Sequence, residues 1–141
     1  MAECILVGNG GGSGYHETVL YNTWTAFAVN DTITLADDVD KFDAIIIYTN
    51  FYESTESGYY THYSRCIIPK NDILISLTES SGGKRYSGYV DLLGSIADCS
   101  QYYMCWSFNI PNKTTLKSTQ KQIGGWAAAQ CGIYKIVGVN Y

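Results

Sequence analysis

A chain of 141 residues, 46% hydrophobic and only 16% charged, is one domain with enough apolar material for a core. Its net charge of −4 comes from 9 basic and 13 acidic residues; only Lys84 and Arg85 are adjacent, which leaves no basic footprint for nucleic acid. No apolar run approaches the ~18 residues of a membrane span.

Met1–Val7 lacks a basic start and is too short for a signal peptide; it reads as a short strand with Ile5 and Val7 on one face. GNGGGSG follows at residues 8–14. A strand followed by glycines invites comparison with a phosphate loop, but Ser13 stands where GxGxxG starting at Gly8 needs glycine, and no GK[ST] follows. The stretch reads as a flexible hinge. It divides an N-terminal strip and hinge, residues 1–14, from a body, residues 15–141.

His16 to Ala28 alternates loosely, with Asn30-Asp31 as a turn. Ile33 to Asn50 reads strand, tight turn, strand: Ile33 and Leu35 alternate with threonines, and Ala44 to Thr49 is a β-branched apolar run. Between them, Val39 and Phe42 flank Asp40, which predicts a single helical turn pinning the loop to the core. YESTESGYYTHY, Tyr52 to Tyr63, is polar, aromatic and glycine-containing, and reads as a long hairpin loop. Strands are expected at Arg65–Pro69 and Ile73–Thr78 around a Pro69–Asp72 turn, and again at Arg85–Leu93 after a turn at Ser80–Lys84. Tyr102 to Ile110 alternates strongly, Pro111-Asn112 turns, and Thr114 to Gln122 is polar. Ile123 to Ala129 shows no clear element, and Ile133 to Val139 closes the domain inside a sheet. No window keeps a helical period beyond two turns, and strands recur every 8–12 residues or so, the signature of a sandwich or barrel. The expected fold is all-β, an antiparallel β-sandwich.

The chemistry-bearing residues are sparse. Asp37, Asp38, Asp40 and Asp43 cluster as a calcium site would require, but the segment lacks the glycine and twelfth-position Glu of an EF-hand loop. Turn chemistry, with Asp side chains tying off amides, accounts for them. Five cysteines, Cys4, Cys66, Cys99, Cys105 and Cys131, show no CxxC and no metal spacing; an odd number suits a reducing cytosol and small core residues. Asp72, Glu79, Asp91 and Asp98 are isolated, and no G-x-S-x-G elbow occurs. No catalytic residues, cofactor or metal are expected, and the chain reads as non-enzymatic. Asn30-Asp31-Thr32 and Asn112-Lys113-Thr114 match a glycosylation pattern that matters only in a secreted chain.

Tyrosine is the outlier, with 13 in the chain. Tyr is rigid, amphipathic and inexpensive to order, which suits binding surfaces. Tyr52, Tyr59, Tyr60 and Tyr63, with His62, fall in the expected long loop, where flat aromatic faces beside hydroxyls and amides would stack on sugar rings. The competing reading is that Tyr is also a good strand residue, which accounts for Tyr48 and Tyr134. Trp106 reads as core, Trp126 as core or rim, and His16 as incidental.

Leu20-Tyr21, Ile33-Thr34-Leu35, Val39, Phe42-Asp43, Ile45 to Tyr48, Ile67-Ile68-Pro69 and Gly132-Ile133-Tyr134 with Ile136 and Gly138 form an ordered pattern. In that order it resembles the C-terminal receptor-binding head domains of tailed-phage fibre proteins, over most of Tyr15 to Tyr141. The resemblance implies a jelly-roll-like head, a homotrimer, displayed on the virion to touch host cell-surface glycans and made in the bacterial host cytoplasm. A trimer would also cover the neutral surface that so low a charge content leaves, since soluble chains average roughly 25% charged residues. Fibre heads usually end a long shaft, whereas here only the strip precedes the head. The alternative is therefore a capsid decoration or head-fibre protein docked on capsid or tail proteins through Cys4, Ile5, Leu6 and Val7.

Overall fold

In the computed structural model of the chain, the described residues are 14–26, 30–55, 58–78, 86–91, 103–124 and 129–141, with side chains over 14–25, 30–50, 63, 65–78, 107–118 and 132–141. They form β1 (His16–Tyr21), β2 (Thr25–Ala26), β3 (Thr32–Thr34), a 3-10 turn (Val39–Lys41), β4 (Ala44–Thr55), β5 (Gly58–Pro69), α1 (Lys70–Thr78), β6 (Tyr86–Asp91), β7 (Tyr103–Asn112), β8 (Thr115–Gly124) and β9 (Ala129–Asn140). One sheet runs β1-β9-β4-β5, with β2 also on β9, and the other runs β3-β8-β7-β6. Every pairing among the described residues is antiparallel. β1 pairs with β9, and inside that closure β3 pairs with β8, a nested plan that makes the sandwich jelly-roll-like.

The alternation of β4 explains the layers. Ile45 and Ile47 turn into the main core with Leu20, Ile33, Ile68, Phe108, Ile110, Leu116, Ile133 and Ile136. Successive strand residues face opposite ways, so Ala44 and Ile46 lie on the other face, where they join Val137 and Val139 in a second buried cluster. Full burial of each such side chain contributes about 1.5–3 kcal/mol. An apolar run with no polar alternation is what a strand covered on both faces needs.

The predicted helical turn is present. It carries a fully buried Val39 and leads to Phe42, whose ring enters the main core. Asp38, at its N-cap, makes no side-chain cap bond, which corrects the capping expectation there. Other aspartates do the tying. The Asp37 carboxylate accepts from the Asp38 amide at 2.8 Å and from Lys41 Nζ at 2.6 Å, while the Asp43 carboxylate accepts the Tyr141 amide at 2.9 Å.

Four other local expectations change. β3 and β4 are not a hairpin; they lie in different sheets, and residues 35–43 cross the sandwich between them. Within the expected Tyr52–Tyr63 loop, residues 52–55 and 58–63 are strand, not loop. They are the outer half of one ladder, paired from Ala44↔Pro69 to Thr55↔Gly58, because Tyr and Thr are good strand formers whatever their polarity. Ile73–Thr78 is helical: Ile73 and Ser76, three apart, are the two buried positions, the spacing of one helix face. The β7 strand runs on through Asn112, which pairs with Thr115; its side-chain oxygen accepts the Thr114 amide at 3.1 Å, an Asx turn. The Asn30 turn stands as predicted, with Asn30 at a left-handed φ of 72° that this residue type tolerates.

Candidate functional site

The β4–β9 ladder holds the feature that builds the site. Its register steps from Tyr48↔Lys135 to Thr49↔Ile133, leaving Tyr134 as an extra residue. A β-bulge of this kind places two residues opposite one and re-aims a side chain. Ile133 and Ile136 both lie in the main core, so the two residues between them share the outer face. Tyr134 packs its ring 5.9 Å from that of Tyr48, and Lys135 sets its Nζ 5.7 Å from the Tyr48 ring centroid, within cation–π range.

β5 supplies the other wall. Tyr48 pairs with Arg65 and Asn50 with Tyr63, so Tyr63 and Arg65 lie on the same outer face. Tyr63 stands edge-on to Tyr134 at 5.7 Å and 87°, the arrangement the ring quadrupoles favour. Tyr48, Tyr63, Arg65 and Tyr134 line a shallow, open depression of about 370 Å³. Tyr63 is 66% exposed, and Arg65 is exposed. Further along the face, Tyr15 and Tyr141 meet at 6.2 Å, and Tyr15 donates to the Glu17 carboxylate at 2.5 Å. Burial pushes the Tyr134 phenol up from its ordinary value, and the neighbouring Tyr48 and Tyr63 add to this. Burial, followed by Glu17, does the same for Tyr15.

Of the sequence-predicted binding residues, Tyr63 lines the depression. Tyr52 pairs with Thr61, Tyr59 with Ser54, Tyr60 with Glu53 and His62 with Phe51; these four side chains lie outside the described residues. Strands alternate faces, so consecutive positions such as 59 and 60, or 62 and 63, do not share one surface. Cys4, Ile5, Leu6 and Val7 also lie outside the described residues. Tyr48 and Tyr134, expected only as strand formers, belong to the site, as do Arg65 and Lys135. Ile133-Tyr134-Lys135-Ile136 carried the signal: two isoleucines three apart within a strand mark a bulge. Cys66 is a free, half-buried thiol whose pKa burial raises, as a packing residue would have it.

No protein-family model matches the chain, and no curated protein matches its sequence.

Proposed function

We propose that this chain is a non-enzymatic virion surface protein, a phage fibre head that binds host cell-surface glycans as a homotrimer. The observation that carries the reading is the depression lined by Tyr48, Tyr63, Tyr134 and Arg65 on the outer face of the β1-β9-β4-β5 sheet. Sugars present C–H faces to aromatic rings and hydroxyls to polar groups, and a rigid tyrosine cluster meets both needs at little entropic cost. The sandwich supports the same reading by holding these side chains on paired strands, where little order is lost on binding. The bacteriophage setting rests on the pattern running from Leu20 through Gly138. On this reading the protein functions on the virion after synthesis in the host cytoplasm.

Adsorption tests the proposal. Purified protein should bind host cells and compete with virions for them. Tyr63→Ala with Tyr134→Ala should weaken binding about tenfold or more, since stacked aromatic pairs are each worth about 0.5–1.5 kcal/mol beyond their buried area. Unchanged adsorption by the folded double variant, or silence on a broad glycan array, would overturn it. Light scattering tests the trimer, and a monomer in solution would remove that part.

A further inference from the structure

We infer that the depression takes an anionic sugar, one carrying a carboxylate or phosphate group seated on Arg65; this rests on the reading of the same face as a glycan-binding surface.

The chain as a whole is acidic, at −4, yet beside Tyr48 this face carries two cations, Arg65 on β5 and Lys135 on β9, the strands on either side of β4, while the Glu17 carboxylate further along it accepts from Tyr15. Among the described residues Lys41 pairs with Asp37 at 2.6 Å and Lys113 with Asp40 at 2.9 Å, both at the acid-rich turn and away from this face. Arg65 and Lys135 have no carboxylate in ion-pair range among the described residues. Lys135 is steered over the Tyr48 ring instead, which keeps its charge on the face. The acid-rich turn, Asp37 to Asp43, sits beyond the Ala44↔Val139 end of the ladder, four residues along β4 from Tyr48.

An exposed guanidinium beside aromatic rings presents a planar fork that matches carboxylate or phosphate oxygens in pairs. The phenol of Tyr134, neutral at physiological pH as tyrosines are, keeps an O–H to donate and adds no repelling charge. A neutral sugar would use the rings and leave Arg65 without a partner. An anionic one uses both.

The test is calorimetry on the intact protein at low and physiological salt. The probes are an oligogalacturonate, a neutral gluco-oligosaccharide of equal length and a glycerol-phosphate oligomer. The expected result is that one or both anionic probes bind about tenfold or more tighter than the neutral one, the worth of a charge-assisted hydrogen bond. The advantage should shrink with salt and disappear in Arg65→Gln. Whichever of the two anionic probes wins identifies the charged group. Equal binding of all three overturns the anionic assignment and leaves the glycan reading standing. Binding of none overturns both. A preference that survives in Arg65→Gln, with unchanged circular dichroism, overturns the seat on Arg65.

Discussion

Phe42 lies flat against Gly138: a Cβ built on this glycine would fall 2.5 Å from Cγ of the Phe42 ring. Around that contact, the Asp43 amide donates to the Val139 carbonyl at 2.9 Å and to the Asn140 side chain at 3.1 Å. The Tyr141 amide returns a bond to the Asp43 carboxylate. A crossing loop from the first third of the chain is thus clamped onto the last strand, and this clamp joins the two segments whose patterns stand out in the sequence.

Gly138→Ala should therefore destabilise the protein by roughly 1–3 kcal/mol through overpacking, and Phe42→Ala by about 3–5 kcal/mol through the cavity it leaves. The double variant should cost clearly less than the sum, because removing the ring makes room for the methyl. Urea unfolding of the four proteins measures this; strict additivity would show that the two residues do not meet.

Ser76 bridges a break in the second sheet. The β7–β8 register is irregular between Asn109 and Asn112, and within that gap the Ile110 amide donates to Ser76 Oγ at 3.2 Å. The hydroxyl lies 3.5 Å from the Ile110 carbonyl in return. Ser76→Ala should cost about 1–3 kcal/mol by leaving a buried amide unpaired. Hydrogen exchange at Ile110 should accelerate beyond the global loss of stability. Unaltered relative protection there would assign the bond elsewhere.

The raised phenol of Tyr134 has a defined sign. The unfolded chain releases this proton near the ordinary tyrosine value of 10.0, while the folded chain holds it to higher pH. The folded state therefore keeps a proton that the unfolded state has lost, and stability falls as pH rises above that value. Tyrosinate absorbance should show part of the tyrosine population titrating late, and Tyr134→Phe should remove one late group and flatten the alkaline loss of Tm. An identical late fraction in the variant would be evidence against the assignment.

At acid pH the relevant group is Asp37, whose carboxyl is held below its ordinary value by the hydrogen bond from Lys41 and then by the Asp38 amide. A lowered carboxyl contributes stability above the unfolded value and loses it as pH falls through the folded one. The group is exposed, so the effect should be small and screened by salt. Asp37→Asn should slightly blunt the drop in Tm below about pH 4, the ordinary carboxyl range. An equal drop in both proteins would show that this pair contributes nothing measurable.

Much of the sandwich is legible in the residues. Ala44 to Thr49 is apolar and β-branched without interruption, and Ile133 to Val139 combines β-branched residues with a glycine that a bulky ring demands; both predict buried strands. The Val39–Phe42 spacing predicts the 3-10 turn. Ile73–Thr78 escapes the same reading because six residues of Ile, Leu, Ser and Thr suit a strand equally well. Asp72 in the first turn of α1 was the available helix signal, since acidic residues favour that end.

The binding face is a different matter. Composition alone singled out tyrosine as the residue type to look for on a contact surface, because it is abundant here, with 13 in the chain, and suited to one. The tertiary structure decided which tyrosines those are. One bulge turns Tyr134 out beside Lys135, and β4–β5 pairing brings Tyr63 and Arg65 next to Tyr48. Register and pairing join residues as far apart as Tyr48 and Lys135, and a side chain's face depends on the partner strand as much as on its own neighbours. Local pattern specifies strands; only their pairing specifies a surface.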